Sequence, residues 1–319
     1  MREKQFAIGI DLGGTNCRAA LVSRSGELGP ARRMATRIDK GLADFLQRLE
    51  ALVADLLGEA RQLGQPVEVI GLGAPGVIAG DGSVVVSPNL SPLDGQPLAL
   101  TLTERFSLPV TVLNDANAIA WGEAQAGAGR ELESFIAITL GTGVGGGLII
   151  NRRVWLGADG AAGEVGHLTI EPQGRPCACG SRGCLEQYAS ASAMVASARE
   201  LLPRSKGSLL GSVAEGELTS ARIAEAARRR DRVALAALEI AGRSLGQALA
   251  GIANLLNLEG AVITGGASEC LDLLRPTMER EIAARAFAIP ARRLRILRGT
   301  LGDDAGILGA ALHGLARIA

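Results

Sequence analysis

Two groups of residues carry types and spacings suited to chemistry. The first is Asn114-Asp115, directly after the apolar run Val110-Thr111-Val112-Leu113. That run reads as a buried strand and the segment from Ala116 to Gln125 as a helix. The pair therefore stands at a strand's C-terminal end, where α/β proteins place ligand chemistry. A carboxylate there can accept a proton from a hydroxyl while the neighbouring amide orients the substrate. The plainer use of Asp115 is as a helix cap, which Asp performs well. The second group is His167 with Cys177, Cys179 and Cys184. Three thiolates and one imidazole make a closed tetrahedral zinc site of the structural kind. Gly180 and Gly183 let the backbone fold so that the sulfurs converge. Such a zinc has no open position for water; its role is to fix the loop carrying Glu164, His167 and Glu186. The alternative is a set of buried free thiols, in a chain whose other cysteines are Cys17 and Cys270.

Glycine-rich turns form a third group. Asp11-Leu12-Gly13-Gly14-Thr15-Asn16 interrupts two strand-like runs, Gln5 to Ile10 and Arg18 to Ser23. Gly13 and Gly14 let backbone N–H groups approach an anion, Thr15 adds a hydroxyl, and Asp11 suits a hydrated Mg²⁺. Gly-Gly is also an ordinary hairpin turn. A second turn, Gly141-Thr142-Gly143-Val144-Gly145-Gly146-Gly147, follows the strand Phe135 to Leu140. Gly141, Gly143 and Gly146 satisfy G-x-G-x-x-G, but a dinucleotide site needs a helix immediately after the glycines. Here Leu148-Ile149-Ile150 leads through Asn151-Arg152-Arg153 into another strand. Two hairpin turns of this kind imply two related halves facing a shared phosphate. Gly265-Gly266, after the buried strand Ala261 to Thr264, is a third point of close backbone approach. No Walker A sequence is present, so no nucleotide is held by a P-loop.

The elements that must position these residues follow from periodicity. Leu42, Phe45, Leu46, Leu49, Leu52, Val53 and Leu56 lie on one face of a helix within Gly41 to Leu63. The strand Val67 to Gly71 runs into the rigid turn Gly73-Ala74-Pro75-Gly76. Ser87-Pro88-Asn89-Leu90 is a polar loop whose amide can face a ligand, and Thr101 to Phe106 is a short helix. The pattern is helical from Thr219 to Leu258, from Leu271 to Phe287 and from Ala305 to Ile318, with a strand at Leu294 to Leu297. A chain of 319 residues with 47% hydrophobic content is long enough for two domains. Lys+Arg and Asp+Glu are both 33, which removes any general argument for nucleic acid or membrane binding. Met1 to Gln5 runs straight into a strand with no signal-peptide apolar region. Leu245 to Thr264 contains Gln247, Asn254, Asn257 and Glu259 and does not read as a membrane span. A cytoplasmic protein with a metal site is the simplest fit.

Taken together, the stretches Asp11–Asn16, Leu113–Asn117, Leu140–Gly147, Gly163–His167 with the C-x-C-G-x-x-G-C run, and Ile263–Gly266 resemble the ROK family of sugar kinases and repressors. The resemblance covers nearly the whole chain. It implies the actin-like, ribonuclease-H-like α/β fold shared with hexokinase, two domains closing on a ligand cleft. The expected division is residues 1–120, with 304–319 packing back on them, and residues 121–303 carrying the zinc motif. It implies ATP-dependent phosphorylation of a hexose, with Asp115 as base and Gly73, Asn89, Asn114, Glu164, His167 and Glu186 on the sugar. ATP and Mg²⁺ fall to Asp11, Gly13, Gly14, Thr15, Asn16, Gly141, Thr142 and Gly143, with Gly265 and Gly266 near the adenosine. Zinc falls to His167, Cys177, Cys179 and Cys184, and a homodimer or homotetramer is expected.

Two departures bear on the substrate. Family glucokinases often have Gly after the Ala-Ser that follows the last zinc cysteine, where this chain has Ala191. Many members carry Trp after the Pro-Asn-Leu loop, where this chain has Ser91-Pro92-Leu93. Glu186-Gln187-Tyr188 looks like the glucokinase branch, whereas Asp11–Asn16 with Arg18 also looks like the N-acylmannosamine kinases. Glucose is the first expectation, followed by N-acetylated mannosamine or glucosamine, then fructose. A repressor of this family carries an N-terminal helix-turn-helix, for which the early first strand leaves no room. A sugar sensor without turnover has no need of Asp115.

Overall fold

The computed structural model describes residues 5–214 and 216–318. The expectation placed on Met1 to Lys4 lies outside them. In chain order, strands β1 (Phe6–Leu12), β2 (Asn16–Ser23) and β3 (Arg32–Ala35) precede helix α1 (Leu42–Gln62). Then come β4 (Val67–Ala74), β5 (Val77–Ile78), β6 (Val84–Val86), α2 (Leu98–Phe106), β7 (Val110–Asn114) and α3 (Asp115–Ala126). β8 (Phe135–Leu140), β9 (Val144–Ile150) and β10 (Arg153–Val154) follow, then α4 (Glu186–Ala189), α5 (Ala191–Leu201), α6 (Ser220–Arg228) and α7 (Arg232–Leu256). The chain closes with β11 (Gly260–Thr264), α8 (Leu271–Arg285), α9 (Ala288–Arg293), β12 (Arg295–Arg298) and α10 (Ala305–Arg317).

These elements build two mixed five-stranded sheets, ordered β3-β2-β1-β4-β7 and β10-β9-β8-β11-β12. The chain divides into two compact units. The first is Met1–Glu131, Gly147–Gly163 and Asp303–Ala319; the second is Leu132–Gly146 and Glu164–Gly302.

In the first unit, β1 and β2 pair antiparallel from Phe6↔Ser23 to Leu12↔Cys17, leaving Gly13–Thr15 as the turn. β4 lies parallel to β1, and β7 parallel to β4, with Gly73 opposite Leu113 and Ala74 opposite Asn114. The apolar stripe of α1 buries Phe45, Leu49, Val53 and Leu56 against Ile8, Ile10, Ile70 and Leu72. α10 lies so close to the sheet that a Cβ on Gly9 would fall 2.2 Å from the Ile307 carbonyl oxygen, and one on Gly71 would fall 1.9 Å from that of Ala310. Glycine at both positions is what admits the helix.

In the second unit, β11 lies parallel to β8 from Gly260↔Phe135 to Thr264↔Thr139, and parallel to β12 on its other side. α7 is the one described helix with the length and apolar content to cross a membrane, yet 67% of that apolar window is buried in the protein. It packs against α8, α5 and α6. The helical pattern expected from Thr219 to Leu258 is broken at residues 229–231. Arg230 turns into the left-handed region (φ 64°), and Asp231 caps α7 by accepting the Val233 and Ala234 N–H groups, each at 3.0 Å. Continuous helical periodicity conceals a cap of this kind, because the apolar stripe resumes in phase.

Candidate functional site

In the first unit, the β7–α3 junction places Asn114 and Asp115. The cap of α3 is Asn114: its Oδ1 accepts the Asn117 N–H at 3.1 Å, and its Nδ2 donates to the Gly76 carbonyl at 3.0 Å. One side chain therefore fixes the start of the helix and ties it to the Ala74–Gly76 turn. Asp115 is the first residue of the helix, and its Oδ1 accepts the Ala116 N–H at 2.8 Å. The cap that Asp115 was a candidate for is thus supplied by its neighbour. Gly73 abuts the same turn of helix, since a Cβ there would lie 3.2 Å from the Ala118 Cβ.

The Gly13–Thr15 turn is braced from behind. Thr36 donates its hydroxyl to the Gly13 carbonyl at 2.6 Å and its N–H to the Thr15 carbonyl at 2.9 Å. Asn16 accepts from Arg33 Nε through its Oδ1 at 3.0 Å. Asn89, exposed at the end of its loop, lies beside Gly14, whose Cβ would be 3.8 Å from that of Asn89. Asp11 closes β1. Burial raises its pKa; the Arg18 guanidinium opposes that and Asp303 adds to it. Arg18 itself donates to the Asp303 carbonyl and to Asp304 Oδ1, both at 2.6 Å. Asp303 and Asp304 were not singled out in the sequence. The only signal was an acidic pair at the start of the last helix, which also reads as a favourable helix N-terminus. A carboxylate whose own charge is penalised by burial and by another acid is suited to a cation, so Asp11 fits the magnesium role.

In the second unit, the turn after β8 closes with the Gly141 N–H donating to the Gly143 carbonyl at 3.0 Å. Glu186 reaches this turn: its Oε2 accepts the Val144 N–H at 3.0 Å. A Cβ on Gly143 would fall 2.4 Å from the same oxygen. The Ala191 N–H holds the Gly141 carbonyl at 2.9 Å, and Thr142 is exposed. Gly265 (φ 79°) packs on the end of β8, where a Cβ would meet the Leu140 carbonyl oxygen at 2.6 Å. The Gly141–Gly143 and Gly265–Gly266 turns therefore share one end of this sheet.

The four candidate zinc ligands come together as expected. One ligand atom from each of His167, Cys177, Cys179 and Cys184 lies within 4.8 Å of the others. His167 Nδ1 is 3.8 Å from Cys177 Sγ, and Cys179 Sγ is 3.7 Å from Cys184 Sγ. A tetrahedron with Zn–S of about 2.3 Å has S···S edges of about 3.8 Å, so the donor set fits zinc. Gly183 (φ 70°) is required here, as a Cβ would lie 1.7 Å from the Glu171 carbonyl oxygen. Burial pushes the Cys184 thiol up to about 12, whereas N–H and S–H donors from Ser181 and Cys177 lower the Cys179 thiol. His167 Nε2 is 4.0 Å from Glu164 Oε2, so the ring faces sulfur on one side and a carboxylate on the other. Gln187, known from the sequence only as part of the Glu186-Gln187-Tyr188 stretch, donates Nε2 to Cys177 Sγ at 3.6 Å.

Residues 7–316 match the model of the ROK family. The chain belongs to the ROK family. It is 38% identical over 310 residues to the glucokinase of Halalkalibacterium halodurans, covering 96% of this chain and 93% of that one. It is 33% identical over 305 residues to the xylose repressor of Caldicellulosiruptor bescii, covering 95% of this chain but 76% of the repressor. Among solved structures, a ROK family glucokinase from Streptomyces griseus in complex with glucose and AMPPNP superposes with a TM-score of 0.81 at 34% identity. The match covers 98% of this chain and 99% of that one. The protein is a ROK sugar kinase with the family's two-lobed, hexokinase-type α/β fold, as the motifs implied. Its substrate is of the hexose type.

Proposed function

We propose that this protein is a glucokinase, transferring the γ-phosphoryl group of ATP to the 6-hydroxyl of D-glucose. The observation that carries the reading is the division of labour at the β7–α3 junction. Asn114 caps the helix through the Asn117 N–H and ties it to the Gly76 turn. This sets Asp115, whose Oδ1 also accepts the Ala116 N–H, at the C-terminal end of β7, where its carboxylate serves as the base. The Streptomyces griseus relative, solved with glucose and AMPPNP, supports the substrate pair.

Asp115 accepts the proton of the 6-hydroxyl as that oxygen bonds to the γ-phosphorus, and ADP leaves with the bridging oxygen. Phosphoryl transfer depends mainly on positioning and charge stabilisation. Asn89, Asn114, Gly73, Glu164, His167 and Glu186 hold the sugar. N–H groups of Gly13, Gly14, Thr15, Gly141, Thr142 and Gly143 meet the phosphates, with Asn16 at the turn and Gly265-Gly266 against the adenosine. Asp11 would hold magnesium, which when bound neutralises phosphate charge. His167, Cys177, Cys179 and Cys184 would hold zinc, which when bound contributes folding free energy and leaves no position for water. The protein acts in the cytoplasm. It assembles as a homodimer or homotetramer, a reading supported by Leu255, Phe287 and Ile289, exposed at 81%, 70% and 69% on the second unit.

A coupled ADP assay over glucose, N-acetylmannosamine, N-acetylglucosamine and fructose tests the reading. The highest kcat/KM is expected for glucose. A higher value for an N-acetylated sugar or for fructose moves the assignment to another kinase of the family, and absence of ADP formation with every sugar overturns it.

A further inference from the structure

A basic cavity lies in the second unit, lined by none of the candidate site residues. Its volume is about 600 Å³, and its lining includes Arg204, Lys206, Arg229, Arg230 and Arg232 with, among the described residues, the single acid Asp231. Two loops supply it: one after α5, the other between α6 and α7. None of the five cations makes an ion pair with a described residue. What sets them apart is that all five line one cavity, whereas Arg18 pairs with Asp304, Arg175 with Glu200 and Arg228 with Asp272. The chain as a whole carries 33 basic and 33 acidic residues, so the excess is local. All five are exposed, so solvent screens their mutual repulsion, but five like charges on one concave surface focus a positive potential that attracts anions.

The loops that hold them are joined through one buried carboxylate. Asp231 is 7% exposed. Its carboxylate accepts from the Ser208 hydroxyl at 3.0 Å, the Leu209 N–H at 2.7 Å, and the Val233 and Ala234 N–H groups at 3.0 Å. These bonds stitch the two loops together and keep its pKa low. They also occupy two of the first N–H groups of α7, so the cavity's affinity for anions rests on the side chains rather than on the helix end. Ser205, half-buried in the same lining, adds a hydroxyl.

We propose that this cavity binds a small anion carrying two or more phosphate groups. One phosphate dianion leaves most of the local charge uncompensated, whereas a bisphosphate or a short polyphosphate matches it. Arg is also the side chain best suited to grip phosphate oxygens in pairs.

Hydrogen exchange of the full chain, read by mass spectrometry, tests this with inorganic tripolyphosphate and fructose 1,6-bisphosphate as probes and inorganic phosphate as control. Either multiply phosphorylated probe is expected to protect residues 204–209 and 229–233. The two probes separate an inorganic polyphosphate from a sugar bisphosphate as the source. In the triple variant Arg204→Gln, Arg229→Gln, Arg230→Asn, apparent affinity should fall by about tenfold or more. Sugar kinase turnover without the anion should be unchanged. The Lys counterparts, which keep the charge, should retain binding, and this separates lost charge from misfolding. The proposal is overturned by absence of protection at both loops, by protection that persists in the triple variant, or by equal protection from inorganic phosphate at the same concentration.

Discussion

Glu186 Oε2 accepts the N–H of Val144 at 3.0 Å, joining the helix just after the zinc loop to the glycine-rich turn after β8. The carboxylate proposed to hold the sugar therefore also buttresses the turn proposed to hold the phosphates. Glu186→Ala leaves the Val144 N–H buried without that acceptor, a cost of about 1–3 kcal/mol. The expected outcome is a rise in KM for both sugar and ATP, with Glu186→Gln recovering ATP more than sugar. A change confined to the sugar KM would show that the contact does not transmit to the turn.

The same contact alters what metal loss should do. From the sequence alone, removing zinc is expected to disturb the sugar side and leave the phosphates untouched. Because Cys184 lies two residues before Glu186, and Glu186 holds Val144, Cys179→Ser should raise the KM for ATP as well as for sugar. It should also lower Tm, since metal binding energy is folding energy. Metal analysis of the parent should find one zinc per chain; a zinc-free parent with full activity refutes this account of the cluster.

Asn114 makes a structural prediction independent of chemistry. Asn114→Ala removes the α3 cap and the bond to Gly76, and should cost about 1–2 kcal/mol in urea unfolding. Turnover should fall as well, because the first helical residue is Asp115. An unchanged urea midpoint would mean that another group caps the helix.

A pH dependence follows from His313 on α10, whose ring meets that of Trp121 edge-on at 6.2 Å. Burial lowers its pKa from 6.5 to about 4. The unfolded chain then binds more protons than the folded one between these values. Stability is fully present above about pH 6.5 and is lost as pH falls toward 4, by at most about 3 kcal/mol. Thermal melts across this window should show a steeper acid decline in the parent than in His313→Gln. Parallel declines would remove His313 as the cause.

The local features were legible in the sequence and the long-range ones were not. The α1 stripe of Phe45, Leu49, Val53 and Leu56, the β7 run and the zinc quartet each lie within a short window, where period and spacing report directly on structure. The Arg18–Asp304 pair spans 286 positions and the Glu186–Val144 bond 42. No periodicity encodes such contacts; the sheet order and the docking of α10 create them. The cap at Asp231 was hidden for a different reason: the apolar pattern of α6 and α7 continues across it, and only the side-chain bonds reveal the break.

The central claim is that Asp115 is the base in phosphoryl transfer, and Asp115→Asn tests it most directly. The substitution keeps size and removes the proton acceptor. Sugar binding, measured by calorimetry, should stay within a few-fold of the parent, while kcat in the coupled ADP assay falls by about 10²–10⁴. Near-parental kcat in that variant, with its fold intact, would contradict the assignment.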